Sequence, residues 1–340
     1  MDEQRHIRPI RPEDRTDRMI ERAAYEIRRV IAGQDTLLER TFVGLLACGH
    51  VLIEGVPGLA KTLTIKTVAD VLGGTFHRVQ FTPDLVPSDL VGTRVFRPDR
   101  AEFETELGPV FCNFLLADEI NRAPAKVQSA LLEVMQEQQV TLGKQTFPVP
   151  LPFLVMATQN PIESEGTYAL PEAQLDRFML KVLVDYPEDA DELVVIDRAL
   201  AGPVEVEQTL TLDELSALQA EVRGIYVDPA LVRYAQRLAA ATRDLPAAGL
   251  KDSAAYVEYG VSPRGPINLT LAGRALALLR GRRYVVVHDL RDLMKDVFRH
   301  RIVLSYEALA DDVTADDVLD RVLEAVPVPE QDFVRQEAAS

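Results

Sequence analysis

Residues 55–62 read Gly55-Val56-Pro57-Gly58-Leu59-Ala60-Lys61-Thr62. They follow a short apolar run, Val51-Leu52-Ile53, and lead into a helical pattern over Lys61–Leu72 that Gly73-Gly74 stops. Strand, small-residue loop and helix in that order let backbone N–H groups wrap phosphate oxygens. Lys61 supplies a cation for the β- and γ-phosphates, and Thr62 a hydroxyl for Mg2+. The helix turns its positive dipole end toward the same anion. Leu63 completes the expected nucleotide-binding stretch. The strict pattern has glycine before the lysine, where this chain has Ala60. Alanine costs little there if the backbone is right-handed, and more if φ is positive.

Four further stretches carry polar residues where such a loop needs them. Phe114-Leu115-Leu116-Ala117-Asp118-Glu119 is an apolar strand pattern ending in two carboxylates, at the strand end where open α/β sheets bind ligands. Asp118 can share Mg2+ with Thr62, and Glu119 can polarise the attacking water. Ala157-Thr158-Gln159-Asn160-Pro161 ends another apolar strand, and Asn160 is the candidate to position that water. Leu175-Asp176-Arg177-Phe178 offers Arg177 as a cation for transition-state charge. Ser262-Pro263-Arg264 opens a later helix, from which Arg264 reaches the nucleotide if that region folds over it.

The rest of the chain fits an α/β core with a helical second region. Helical patterns cover Asp17–Val30, Asp35–Cys48 and Ala125–Gln138. Strands are expected at Thr75–Phe81, Val110–Ala117, Phe153–Ala157 and Leu180–Val184. Strands alternating with helices mean a parallel sheet. Two hairpins interrupt it, Thr93–Phe96 with Glu102–Glu106 around Pro98-Asp99-Arg100, and Val140–Leu142 with Gln145–Phe147 around Gly143-Lys144. After Tyr186-Pro187 the pattern changes to amphipathic helices at Ala190–Leu200, Leu212–Val222, Pro229–Thr242, Pro266–Arg280 and Leu290–Leu304. The boundary is expected near residue 187, with domains over 1–187 and 188–340. From Glu307 onward ten acidic residues face two basic ones, read as a charged, partly helical terminal face.

Composition narrows the function classes. Of 340 residues, 53 are acidic and 37 basic, a net charge of −16. That balance opposes broad nucleic-acid coating, because phosphate contacts need Lys and Arg; the first hairpin still offers Arg94, Arg97 and Arg100. No apolar run approaches the ~18 residues of a membrane span, and the N-terminus lacks a signal-peptide pattern. A cytosolic protein is expected. Cys48 and Cys112 are read as small buried hydrophobes. His6, His50, His77, His288 and His300 lack metal-ligand spacing.

Taken together, the motifs resemble the AAA+ ATPases, and within them the MoxR-like branch. Gly55–Thr62 matches that branch's phosphate loop (Walker A), alanine included, and Ala117-Asp118-Glu119-Ile120-Asn121-Arg122-Ala123-Pro124 resembles its Walker B segment. Residues 157–161 resemble its sensor 1, residues 171–178 its arginine-finger segment, and Ser262-Pro263-Arg264 its sensor 2. The resemblance covers about residues 17–305. It implies a P-loop core of a parallel sheet between helices, with two hairpin insertions and an all-helical C-terminal lid. It implies ATP and Mg2+ as cofactors, with Lys61 and Thr62 on phosphate and metal and Asp118 ordering the metal. Glu119 is the implied base, Asn160 the sensor, Arg177 the finger reaching a neighbouring subunit, and Arg264 the lid arginine. It further implies a hexameric ring and a chaperone-like remodelling of a protein client, with a separate von Willebrand A domain partner. Gln34 is expected either near the adenine or as a polar residue at a helix start. Arg122 serves either a subunit interface or a local ion pair. A nucleic-acid motor and a non-hydrolysing, nucleotide-gated adaptor are the competing readings on the same fold.

Overall fold

Alternate residues of the central strands enter different apolar cores. In β1 (Val51–Glu54), Val51 and Ile53 join one cluster and Leu52 the other. This period of two is what a strand buried on both faces requires. The structure is a computed structural model, describing residues 12–329 apart from 57, 100, 162–167 and 203. Pro57 and the acidic tail beyond 329 lie outside the described residues.

Two helices, α1 (Pro12–Val30) and α2 (Asp35–Leu46), precede β1. After it come α3 (Lys61–Leu72), β2 (Phe76–Gln80) and the short α4 (Pro87–Val91). The first hairpin is β3 (Gly92–Arg97) with β4 (Glu102–Leu107); β5 (Phe114–Asp118) and α5 (Ala125–Glu137) follow. The second hairpin is β6 (Gln139–Leu142) with β7 (Gln145–Pro148), before β8 (Leu154–Gln159), α6 (Glu172–Leu175) and β9 (Leu180–Leu183). The central sheet runs β2-β5-β8-β1-β9 and is parallel throughout. The expected α/β core with two inserted hairpins is present.

The C-terminal region holds α7 (Asp189–Ala201), α8 (Leu212–Gly224), α9 (Pro229–Arg243) and β10 (Val257–Tyr259). Then come α10 (Arg264–Leu279), α11 (Val287–Phe298), β11 (Val303–Leu304), α12 (Tyr306–Ala310) and α13 (Ala315–Ala325). One face of the sheet, α1–α3 and helices α8–α11 and α13 share a single apolar core. The other face packs on α5, through Val127, Leu131 and Leu132. Buried Arg40 on α2 pairs with Asp296 on α11 at 2.6 Å, tying the N-terminal helices to the C-terminal ones.

Several expectations need correction. Residues 110–113 are a buried turn and not part of β5. The Asn113 side chain accepts the Thr75 N–H at 3.1 Å and donates to Pro152 O at 3.1 Å, bending the chain before the strand begins. The helix expected to reach Leu304 ends at Phe298, and a 3-10 turn over Arg299–Arg301 follows. The lid is helical but not all-helical, because β11 pairs antiparallel with β10. Cys112 is buried but Cys48 is exposed, at φ 56° beyond the end of α2. Helix α7 buries none of its residues; Val195 and Ala199 line a cavity, while Leu193, Ile196 and Leu200 are exposed. The terminal segment is more than a solvated face, because α13 buries Val318, Leu319 and Val322.

Candidate functional site

The loop from Gly55 lies between the ends of β1 and β9. A side chain at Gly55 would place its Cβ 2.5 Å from Val184 O, so only glycine fits. Gly58 has φ +90°, and Ala60 has φ 55° with ψ 16°. Ala60 is therefore left-handed, the costlier of the two cases, at roughly 1–2 kcal/mol against a right-handed alanine. Lys61 begins α3 and folds back on its own loop, donating from Nζ to Gly55 O at 2.6 Å. Burial draws its pKa below the ordinary lysine value, and the Asp118 and Glu119 carboxylates oppose that shift.

Strand β5 delivers the two carboxylates. Asp118 Oδ1 accepts the Thr158 hydroxyl at 2.6 Å, and Thr158 Oγ1 accepts the Glu119 N–H at 2.8 Å. One buried threonine on β8 thus joins both acids. Arg78 on β2 donates to Asp118 Oδ2 from Nε at 3.1 Å and from Nη2 at 2.7 Å. Gln80, two residues on, donates to Glu119 Oε2 at 2.8 Å, and Arg122 Nε lies 3.0 Å from the same oxygen. Glu119 is held at φ 57° and ψ 51°, a left-handed conformation that non-glycine residues adopt mainly where surroundings enforce it.

These groups meet in one cleft of about 400 Å³. Its walls include Gly58, Leu59, Ala60, Lys61, Thr62 and Leu63 from the loop and α3, then Asp118, Glu119, Thr158 and Asn160. Arg78 and Gln80 close it from β2. Reading the sequence missed both, and missed the role of Thr158, because strand pairing alone brings them there. Val56 packs half-buried against the core below the loop. Arg177 and Arg264 are not in the lining. Arg177 is half-buried before β9, and Arg264 pairs with Asp176 at 3.7 Å. Arg122 makes the local ion pair of its two expected roles. Gln34 precedes α2 without capping it and donates to Asp185 O at 3.4 Å.

A second cavity, of about 620 Å³, adjoins the cleft and shares Ala60 and Leu63 with it. Ile31, Ala32, Val195, Ala199 and Val206 give it apolar walls. Such a pocket, largely apolar with a phosphate-type loop at one side, suits a flat aromatic group joined to an anion.

A sequence profile described as the ATPase family associated with various cellular activities (AAA) matches residues 50–180. A profile of the AAA lid domain matches residues 250–322. The chain is 54% identical to the chaperone MoxR1 of Mycobacterium tuberculosis, over 94% of this chain and 85% of that one. It is 34% identical to the MoxR protein of Paracoccus denitrificans, over 88% of this chain and 93% of that one. A solved structure from Cytophaga hutchinsonii, assigned as an ATPase, superimposes with a TM-score of 0.89 at 42% identity. That match covers 94% of this chain and 97% of the other. Loop, paired carboxylates, lid and relatives agree, and the chain belongs to the MoxR-like AAA+ ATPases.

Proposed function

We propose that the chain hydrolyses ATP with Mg2+ and uses the cycle to remodel a protein client. The observation that carries this reading is the single cleft in which Lys61, Thr62, Asp118, Glu119 and Asn160 meet. Lys61 would bind the β- and γ-phosphates, exchanging Gly55 O for phosphate oxygen. Glu119 would accept a proton from the attacking water, and Asn160 would orient that water. The adjoining apolar cavity would take the base. Thr62 and Asp118 offer a hydroxyl and a carboxylate, hard oxygen donors that suit Mg2+. Bound there, the ion would neutralise phosphate charge.

We place Arg177 at a neighbouring subunit's nucleotide, in a ring expected to be hexameric, and Arg264 as the lid arginine of the subunit's own site. A separate von Willebrand A domain protein is the expected partner, and the cytoplasm the expected location; among the described residues no helix is long and apolar enough to cross a membrane. The nucleic-acid alternative is weakened by the first hairpin. Arg97 is paired with Glu104 at 2.8 Å and Glu106 at 2.7 Å, and Arg94 lies over the Phe103 ring. The adaptor alternative is opposed by Glu119, which is present and held in the cleft.

The test is ATPase activity per subunit over a range of protein concentrations, with Glu119→Gln as control. Activity that climbs with concentration and vanishes in the variant supports shared sites in a ring. Undiminished turnover by Glu119→Gln would place the base elsewhere.

A further inference from the structure

The arginine expected on the nucleotide is held by a carboxylate of another segment. Arg264 Nη1 lies 3.7 Å from Asp176 Oδ2. Asp176 immediately precedes Arg177, and the same carboxylate takes two more contacts from the C-terminal region. Ser262 Oγ donates to it at 3.1 Å and 3.3 Å, and Arg301 Nε donates to Oδ1 at 2.7 Å. Ser262 Oγ also accepts the Arg264 backbone N–H at 3.2 Å, setting the arginine at the start of α10.

The two guanidinium contacts are unequal. Arg301 has a fully buried side chain and also donates to Asp176 O, Phe178 O and Met179 O. Burial lowers its pKa to about 10, with the Asp176 carboxylate opposing the shift, so it stays charged at neutral pH. Its neighbours add to the grip: His300 Nε2 lies 3.1 Å from Phe178 O, and Arg299 donates to Lys181 O at 2.5 Å. Among the described residues the Arg264 side chain has one contact, a long one, and is 52% exposed. One arginine is a permanent anchor and the other a releasable ligand. An exposed pair at that separation is weak, so a polyanion of higher charge displaces it readily.

We propose that Asp176 is a latch for Arg264, holding the lid arginine on the finger segment until a γ-phosphate takes it over. ATP in a subunit's own cleft would then draw Arg264 off the carboxylate beside Arg177 while Arg301 stays on it, linking one subunit's occupancy to the group offered to the next. Asp176 acts here as a positioning residue. The inference rests on the reading that Arg264 reaches bound nucleotide.

The test uses the full chain, titrated with a slowly hydrolysed ATP analogue and, separately, with ADP. Asp176→Asn should tighten the ATP analogue by about threefold to fivefold, the size expected for release of an exposed ion pair. ADP, which lacks the γ-phosphate, should bind unchanged. In an Arg264→Ala background the gain should vanish. If Arg264→Ala weakens the ATP analogue while Asp176→Asn does not tighten it, the latch is overturned and the lid reading stands. If Arg264→Ala leaves the analogue's affinity unchanged, the lid reading fails and takes the latch with it. Asp176→Asn strips Arg301 of its buried counter-ion and can unfold the chain. The double change Asp176→Asn with Arg301→Gln keeps a neutral donor for the Phe178 carbonyl and is expected to give the same tightening.

Discussion

Gln80, the last residue of β2, donates its side-chain amide to Glu119 Oε2 at 2.8 Å. The parallel register of β2 on β5, which sets Gln80 opposite Asp118, makes that contact possible. In the proposed role of base, Glu119 would have to meet a water in line with the γ-phosphate, which needs its carboxylate fixed. Gln80→Ala leaves Arg122 as the other group on that oxygen. We expect kcat for ATP to fall about tenfold with KM nearly unchanged, the signature of a contact that matters in the transition state. A change in KM alone would show that Gln80 serves binding instead.

The left-handed Ala60 gives a stability prediction. Ala60→Val adds a β-branched side chain at φ 55° and should cost about 2 kcal/mol in urea denaturation. Ala60→Gly removes the steric penalty and should be neutral to stabilising by up to about 1 kcal/mol. A valine variant as stable as the parent would mean that this backbone conformation is not held in solution.

His50 makes stability depend on pH. Its Nδ1 accepts the Val155 N–H at 3.0 Å, and Nε2 lies 3.2 Å from Met135 O. Burial lowers its pKa from 6.5 to about 4. A depressed histidine favours the neutral form in the fold, so its contribution is complete above pH 6.5. It is lost as pH falls from 6.5 toward 4, where the unfolded chain binds the proton first. The full loss is about 3 kcal/mol from this residue. Buried His300 shifts in the same direction, through burial and then the Arg301 charge. Denaturation midpoints at pH 7 and pH 5 should therefore differ, and His50→Gln should reduce the difference. Equal midpoints at both pH values would contradict neutral, buried histidines.

Arg177 tests whether the site is shared between subunits, as proposed. Arg177→Ala should keep ATP binding and lose turnover by about a thousandfold or more. Lys61→Ala should lose ATP binding. Mixing the two inactive proteins should restore part of the activity, because a mixed ring pairs an intact loop with an intact finger. If the mixture stays inactive although size measurements show mixed rings, the finger does not act in trans.

Most of the cleft was legible in the sequence because its chemistry is local. Gly55–Thr62, Asp118-Glu119 and Asn160 each end an apolar strand, and strand ends in a parallel sheet converge on one edge. What was misread involves segments whose apolarity has two explanations. Residues 110–113 are as apolar as a strand but form a turn around the Asn113 side chain. The amphipathic pattern of α7 suggested one buried face, yet the helix buries none of its residues and some of the apolar ones wall a cavity instead.

The sequence by itself determined the glycine-bearing loop between β1 and α3, the paired acids at the end of β5, the alternation of strands with helices and the switch to helices after residue 187. Side-chain type and short-range periodicity are sufficient for each of these. Only the tertiary structure decided that Arg78 and Gln80 hold the two carboxylates, that Ala60 is left-handed, and that Arg301 and Arg264 share Asp176. Those relationships depend on strand register and on contacts between residues as far as 125 positions apart. Periodicity says which face of an element is buried; which partner meets that face is settled when the whole core packs.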